Sequence, residues 1–216
     1  MKLPTKYTSI LNTKETEHAI VAIKDFFQLA LSTELNLSRV TAPLFVGQGT
    51  GINDDLNGIE RPVSFPVKAL NDSKMEIVQS LAKWKRLKIT DLGLEPGFGI
   101  YTDMNALRPD EDLDPIHSIY VDQWDWEMAI DEKDRTVFYL HEIVKKVYRC
   151  IQRCEFFLYD RYPKLKPILP KEPMIALRVL CPGTEKEITP SYSFSPRMAF
   201  NKVLLPAPLG PISATI

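Results

Sequence analysis

The segment YVDQWDWE, residues 120–127, combines carboxylates, an amide and aromatic rings in a pattern suited to ligand binding. If it is a strand, alternation sends Gln123, Asp125 and Glu127 to one face and the aromatic side chains to the other. Three polar groups on one face of a central strand cost free energy to bury without partners. The pattern therefore indicates a polar ligand pocket, and an exposed sheet face is the alternative.

A second polar segment, SLAKWKR at residues 80–86, carries three positive charges along a predicted short helix. Lys85 is one of them, and Ser80 and Trp84 lie close enough in sequence to meet the same ligand. Ammonium and guanidinium groups suit carboxylates or phosphates. A solvated basic helix face is the alternative.

Arg108 stands at the end of a predicted strand, directly before the acidic residues Asp110, Glu111 and Asp112. An arginine in that position suits a phosphate, with the carboxylates holding the guanidinium or a metal ion. A structural salt bridge fits the same residues equally well.

Two further groups of residues could bind ligands. Asp54 and Asp55 lie in a loop flanked by glycines, where carboxylates suit an ammonium group or a metal ion, and a solvated turn is the alternative. Cys150 and Cys154 lie one helical turn apart in a chain with 3 cysteines. No second pair of ligands follows at zinc-site spacing, so buried free thiols are the better interpretation.

Composition limits the classes of protein that this chain represents. Its 216 residues are enough for one sizeable domain, and 44% hydrophobic with 25% charged residues is ordinary for a soluble globular protein. The formal net charge of -1 provides no basic field for a nucleic acid or an acidic membrane surface. Without a long apolar run or a signal-like start, we expect a cytoplasmic protein.

Periodicity predicts an α+β fold in which helices cover an antiparallel sheet. Apolar spacings of three and four indicate helices, and short segments rich in β-branched residues between turns indicate strands. The predicted helices are Thr13–Leu35, Ser80–Ile89 and Asp134–Tyr162, and the predicted strands are Arg39–Val46, Val63–Leu70, Met75–Val78, Gly99–Arg108 and His117–Glu127.

The last part of the chain differs from the rest in composition and periodicity. Residues 173–216 contain 7 of the 17 prolines and show no sustained helical or strand period. We therefore expect one domain at residues 1–172 and a poorly ordered tail at residues 173–216.

The polar segments together resemble one known family. DDLNGIERPV, VKAL, SLAKWKR, YTDMNALRPDED and HSIYVDQWDWE are similar, in order and spacing, to the ammonia-dependent asparagine synthetases, or aspartate–ammonia ligases. The resemblance runs from about Tyr7 to Lys171. It implies the fold of class II aminoacyl-tRNA synthetases, an antiparallel sheet flanked by helices, here incomplete at the C-terminus.

Carried over by position, the resemblance implies an aspartate pocket. Asp54 would bind the amino group of aspartate, Ser80 and Lys85 would lie close to its carboxylates, and Gln123 and Asp125 would complete the pocket. No metal ligand is identifiable in this way.

The same resemblance implies the other substrates. Arg108 would contact the α-phosphate of ATP, and Glu111 is a weaker candidate for an ATP contact. Aspartate would attack ATP to form aspartyl adenylate and pyrophosphate, and ammonia would then displace AMP to give asparagine. Mg²⁺ and a homodimer are also implied, while a nucleic-acid or membrane partner is not.

The resemblance stops before the chain ends, since family members continue with further strands and ATP contacts that are not recognisable here. Three hypotheses follow from this. The chain is a ligase with weak or no activity by itself, or it is a non-catalytic remnant that binds aspartate or dimerises. The third, a synthetase-related protein acting on tRNA, is disfavoured by the near-neutral charge.

Overall fold

The computed structural model describes residues 8–53, 59–113 and 117–173, together with four two-residue strands beyond them. The chain divides into two compact units, with the boundary between Pro167 and Ile168. The first unit contains every long helix and strand of the described residues. No helix within these residues is long and apolar enough to cross a membrane.

Three helices and six strands form the described part of the first unit. The helices are α1 (Thr13–Glu34), α2 (Ala82–Asp91) and α3 (Val137–Arg161), with 3₁₀ turns at Lys68–Leu70 and Glu132–Asp134. The strands are β1 (Leu37–Arg39), β2 (Phe45–Gly47), β3 (Ser64–Val67), β4 (Ser73–Ile77), β5 (Gly99–Leu107) and β6 (Tyr120–Met128). The predicted α+β class is confirmed.

The larger sheet has the strand order β1-β5-β6. β5 and β6 pair antiparallel over nine residues each, with Thr102 opposite Asp125 and Met104 opposite Gln123. β1 runs parallel to β5, a pairing that the predicted antiparallel sheet does not include. A second sheet, β2-β4-β3, is entirely antiparallel and contains the predicted hairpin.

The predicted strand Arg39–Val46 is wrong in its extent, because it is split into β1 and β2. Residues 40–44 between them are irregular and include Pro43, which has no amide hydrogen for a strand ladder. Pro66 is tolerated because β3 is an edge strand of its sheet. The two parts of the predicted strand therefore join different sheets.

Side chains cap the N-termini of the two long helices. At α1 the Glu15 amide donates to Asn12 Oδ1 (2.9 Å) and the Asn12 amide donates to Glu15 Oε2 (3.0 Å), a reciprocal capping box. At α3 the Thr136 hydroxyl accepts a hydrogen bond from the Tyr139 amide (3.1 Å).

The two faces of the β1-β5-β6 sheet are covered by different elements. Helices α1 and α3 pack on one face around Leu31, Leu35 and Tyr101, with Trp126 against this cluster. On the other face Met104 of β5 packs with residues next to and within α2. Apolar side chains of β5 therefore pack on both faces of the sheet, which places β5 in the core.

The two cysteines of α3 lie inside the helix packing. Cys150 and Cys154 are buried and unbridged. Burial raises the pKa of the Cys154 thiol to about 11, and burial is also the main reason why the pKa of Cys150 is raised. Both thiols are therefore protonated at neutral pH and act as apolar packing groups.

The second unit is described only through strand pairs. Ala176–Leu177 (β7) pairs antiparallel with Val203–Leu204 (β10), and Leu180–Cys181 (β8) pairs with Thr184–Glu185 (β9). The other positions from 174 onward lie outside the described residues, so the predicted poor order of residues 173–216 stays a prediction.

Gly99 provides a test of the pairing between β1, β5 and β6. A Cβ at Gly99 would lie 2.3 Å from the Glu127 carbonyl oxygen and 2.7 Å from a methyl group of Leu37. Because the first of these neighbours is backbone, we expect Gly99→Ala to lower the free energy of unfolding by about 3 kcal/mol. Urea denaturation measures the change.

Gly47→Ala is the matched control, since its Cβ would meet only a Thr50 methyl group at 3.2 Å. It should cost less than about 1 kcal/mol. Equal losses in the two variants would contradict the close approach at Gly99.

Candidate functional site

A buried lysine lies at the centre of the polar face of β6. Lys85 is 2% exposed, and its ammonium donates a hydrogen bond to the carboxylate of Asp125 and another to the Trp126 carbonyl oxygen at 3.1 Å. Glu127 Oε2 lies 4.0 Å from the same nitrogen. The lysine therefore neutralises a carboxylate pair on β6.

Helix α2 places this lysine by packing its neighbours into the apolar layer. Trp84 packs with a buried cluster that includes Val78, Leu81 and Met104. These are core residues, so the packing of Trp84 does not support its predicted role in ligand binding. Lys83 on the same helix is exposed, whereas Lys85 turns inward. The helix therefore directs a single ammonium group to β6.

The polar face retains hydrogen-bonding capacity for a ligand. An ammonium group has three donors, and the described residues take two of those on Lys85. Among the described residues, Gln123, two residues along the same face, has only the Met104 sulfur near its Nε2, at 3.6 Å. Arg86 Nε lies 3.5 Å from Glu127 Oε1 and adds a second positive charge. A bound carboxylate and ammonium group would both find partners here.

A cleft of about 480 Å³ contains a second charged cluster, around Arg108. The residues that line it are Ile59, Glu60, Arg61, Arg108, Asp110, Glu111 and Asp112. The Glu111 amide donates to the Arg108 carbonyl oxygen (3.2 Å), which closes a turn with Pro109 in its second position. The turn brings the guanidinium and the acidic residues together.

Arg108 is poorly satisfied by its protein neighbours. Its nearest acidic partner is Glu111 at 3.9 Å, and its buried Nε has no hydrogen-bond partner among the described residues. An unpaired buried donor costs free energy, and a ligand oxygen would relieve this cost. The cleft can therefore accept an anion at this guanidinium.

Asp110 in the same turn has a different partner. Its carboxylate accepts a hydrogen bond from the Arg61 amide (2.7 Å) and others from the Arg61 guanidinium, including Nε at 3.1 Å. These bonds to Arg61 lower the pKa of Asp110 to about 2. The carboxylate is thus ionised throughout the neutral and mildly acidic range.

Acidic residues on the opposite face of the sheet serve the packing of α1. Lys24 of α1 lies 3.3 Å from Asp103 Oδ1 and 3.0 Å from Asp122 Oδ2. Phe27 packs against Trp124, with 4.8 Å between ring centroids. This face is therefore structural, in contrast to the face that carries Lys85.

The structure brings several of the predicted site residues together. Lys85 and Asp125 are in direct contact, Gln123 shares their face, and Ser80 lies two residues before α2, half-buried. Asp54 lies outside the described residues, so its predicted role stays a prediction.

Arg108 and Glu111 form a separate cluster farther along the sheet. Thr102 is the cross-strand partner of Asp125, and Arg108 is six positions beyond Thr102. Six residues of extended strand separate the two backbone positions by about 20 Å. Gln123, opposite Met104, lies between the two clusters. The two clusters therefore arise from backbone positions that are well separated along the sheet.

Comparison with known proteins identifies the family. Residues 14–178 match the aspartate–ammonia ligase family. The chain belongs to this family. The resemblance predicted from the polar segments is therefore confirmed.

Relatives in the family are closely similar to the chain over a shared segment. An aspartate–ammonia ligase from Bacteroides thetaiotaomicron is 59% identical over 169 residues, which are 78% of this chain and 49% of that protein. One from Clostridium perfringens is 54% identical over 170 residues, 79% of this chain and 51% of that protein. The chain spans about half the length of the curated relatives it matches.

Solved structures of synthetases show a weaker similarity. A pyrrolysyl-tRNA synthetase, PylSc, from Desulfitobacterium hafniense aligns with 15% identity and a TM-score of 0.46 over 62% of this chain and 46% of its own. A putative aspartyl-tRNA synthetase from Leishmania major has 13% identity and a TM-score of 0.42, over 77% of this chain and 28% of its own.

Sequence analysis missed one member of these clusters, Arg61, and the partners of another, Glu127. Arg61 is 49 residues from Asp110, and no local spacing connects them. Glu127 was recognised on the polar face, but its neighbours Lys85 and Arg86 depend on how α2 packs. Only a tertiary contact could have found either pairing.

Removing the buried ammonium should destabilise the fold. We expect Lys85→Met to lower the free energy of unfolding by about 3 kcal/mol, because Asp125 and Glu127 lose their neutralising partner. The double variant Lys85→Met with Asp125→Asn should lose less free energy of unfolding than Lys85→Met alone. Denaturation in urea compares the variants with Lys83→Met, an exposed position on α2 where a small effect is expected. An equal loss at Lys83 would contradict the central position of Lys85.

The Arg61–Asp110 pair predicts an acid titration. ¹³C NMR of the Asp110 carboxyl should give a pKa of about 2, and Arg61→Ala should raise it towards the ordinary value of 3.8. Because the folded pKa is lowered, the pair stabilises the fold above the unfolded value and this contribution is lost as pH falls through about 2. An unchanged pKa in Arg61→Ala would show that another group ionises Asp110.

Proposed function

We propose that the protein is an aspartate–ammonia ligase, which converts aspartate, ammonia and ATP into asparagine, AMP and pyrophosphate. The observation that carries the proposal is the buried Lys85 ammonium beside Asp125 and Glu127 on the polar face of β6. Membership of the family supports it. The reaction needs a site for a small zwitterion, and opposite charges side by side in a half-buried face suit one.

The aspartate pocket is proposed to use four described side chains together with Asp54. Lys85 and Ser80 bind substrate carboxylates, while Asp125 and Gln123 bind the polar groups at the other end of the molecule. Asp54 completes the pocket by accepting from the substrate amino group. Substrate binding exchanges the Lys85–Asp125 pair for two pairs with the ligand, which favours a charged amino acid over a neutral analogue.

Arg108 is proposed to bind the α-phosphate of ATP. Its unpartnered Nε is supplied with an acceptor when a phosphate oxygen enters the cleft. The side-chain carboxylate of aspartate then attacks the α-phosphorus, and the bond to pyrophosphate breaks. Ammonia attacks the resulting acyl carbon, and AMP leaves with the bonding electrons. Arg108 acts by neutralising charge and fixing the line of attack, and Glu111 contacts the nucleotide.

Mg²⁺ suits the donors in the cleft as a metal held mainly by phosphates. The described residues contain no group of three acidic, histidine or cysteine side chains arranged to hold a metal ion. Mg²⁺ commonly takes one or two carboxylates together with substrate phosphates and water. Glu111 and Asp112 would provide these carboxylates, and the bound ion would neutralise phosphate charge.

A homodimer in the cytoplasm is proposed for the working protein. Helix α1 supports this because Val21 and Leu29, two turns apart, are 60% and 68% exposed in the isolated chain. Exposed apolar side chains on one helix favour a protein contact.

A second candidate function is aspartate binding without turnover. It is favoured by the geometry of the pocket, since Lys85, Asp125 and Gln123 meet on one face of β6 without any contribution from Arg108. Both candidates require the pocket around Lys85, and they differ in whether the bound substrates react.

Aspartate binding and AMP release test the two candidates together. Calorimetry should detect aspartate binding to the chain, with at least about a tenfold loss of affinity in Asp125→Asn because a charged contact is removed. AMP formation is then measured with ATP, Mg²⁺, aspartate and ammonia, leaving out each component in turn.

AMP release that needs both aspartate and ammonia, and is abolished by Arg108→Ala and by Asp54→Ala, establishes the ligase. Binding without such release establishes the second candidate. Lys133→Ala, which removes an exposed surface charge, is the control for both measurements. If the chain neither binds aspartate nor releases AMP, both candidates are rejected.

A further inference from the structure

The pairing of Arg61 with Asp110 has a consequence for the neighbouring arginine. Arg108 and Asp110 belong to one turn and line one cleft, and their charges are opposite. Yet the Asp110 carboxylate is held by the amide and guanidinium of Arg61, while Arg108 Nε is left without a partner among the described residues. The geometry therefore separates two groups that would otherwise pair.

We propose that Arg61 is a positioning residue that withholds the Asp110 carboxylate from Arg108, so that Arg108 remains available to a phosphate group. This proposal rests on the proposed function in one respect, the contact between Arg108 and the α-phosphate of ATP. Arg61 itself does not touch the reacting atoms.

Arg108 and Arg61 are both placed to compete for the Asp110 carboxylate. Asp110 is two residues from Arg108 within the turn closed by Glu111, and both residues line the same cleft. Arginine and carboxylate form close pairs whenever geometry permits. Arg61 prevents this with two kinds of donor, since its backbone amide fixes one oxygen and its guanidinium spans both.

Charge in the cleft gives Arg61 a second effect in the same direction. Four carboxylates and two arginines line the cleft. Without the Arg61 guanidinium, the one remaining arginine would face four carboxylates, and the Asp110 oxygens that the guanidinium held would become available to Arg108. A polyanion would then meet a negative cleft with no available guanidinium, so its affinity falls.

Removing the charge of Asp110 separates this mechanism from a direct contact between Arg61 and the phosphate. Arg61→Ala should weaken the binding of inorganic pyrophosphate about tenfold, measured by calorimetry. Arg61→Ala with Asp110→Asn should recover most of that affinity, because the competing carboxylate is gone. Asp110→Asn alone should bind pyrophosphate at least as tightly as the unmodified chain.

A second readout reports on Arg108 without any ligand. The ¹⁵Nε–¹Hε resonance of Arg108, assigned by its loss in Arg108→Lys, should shift in Arg61→Ala as the Asp110 carboxylate binds the guanidinium. In the variant with both Arg61→Ala and Asp110→Asn, the resonance should return to its position in the unmodified chain. Lys133→Ala removes the exposed pair with Asp131 (3.1 Å) outside the cleft and should leave the resonance unchanged.

The outcomes are distinguishable from a failure of the proposed function. If the chain binds no pyrophosphate, the phosphate contact of Arg108 is wrong, and the resonance alone decides whether Arg61 controls Arg108. If affinity falls in Arg61→Ala and does not recover in the double variant, Arg61 contacts the phosphate directly and the proposal is overturned. An unmoved Arg108 resonance in Arg61→Ala overturns it as well.

Discussion

The register between β5 and β6 is the constraint on which the site depends. Side chains alternate between the two faces of a sheet, so a slip of one residue would move Asp125 and Glu127 from α2 to the α1 and α3 side. It would also bring aromatic rings towards the buried ammonium of Lys85. The long antiparallel pairing and the close approach at Gly99 hold the register. The strand register thus decides which face of the sheet carries the carboxylates that pair with Lys85.

The two faces of β6 use charge in different ways. On the α1 face, Lys24 bridges two half-exposed carboxylates, and such pairs contribute little stability individually. On the α2 face, Lys85 is buried, so removing either partner leaves a charge without compensation. An apolar replacement of the whole group could pack as well. Retaining charges at this cost is therefore better explained by a ligand than by stability.

Sequence patterns gave the elements and the polar face, because both follow from local periodicity. The Lys85–Asp125 contact could be anticipated only through family resemblance, since α2 has weak amphipathic character and four basic residues from which to choose. The parallel pairing of β1 with β5 and the Arg61–Asp110 pair join residues far apart in sequence. Periodicity contains no information about such contacts. The loop with Asp54 lies outside the described residues.

Backbone hydrogen bonding explains why Lys85 serves both the fold and the site. The Arg108 amide donates to the Ile119 carbonyl oxygen and the Ala129 amide to that of Phe98, which fixes the alternation along β6. The Trp126 carbonyl therefore points away from β5, towards the edge of the described sheet. Lys85 satisfies this carbonyl as a neighbouring strand would. The helix that supplies the charge thereby also covers the strand edge, so the position of the ammonium is set by the backbone and is ready for a ligand before one binds.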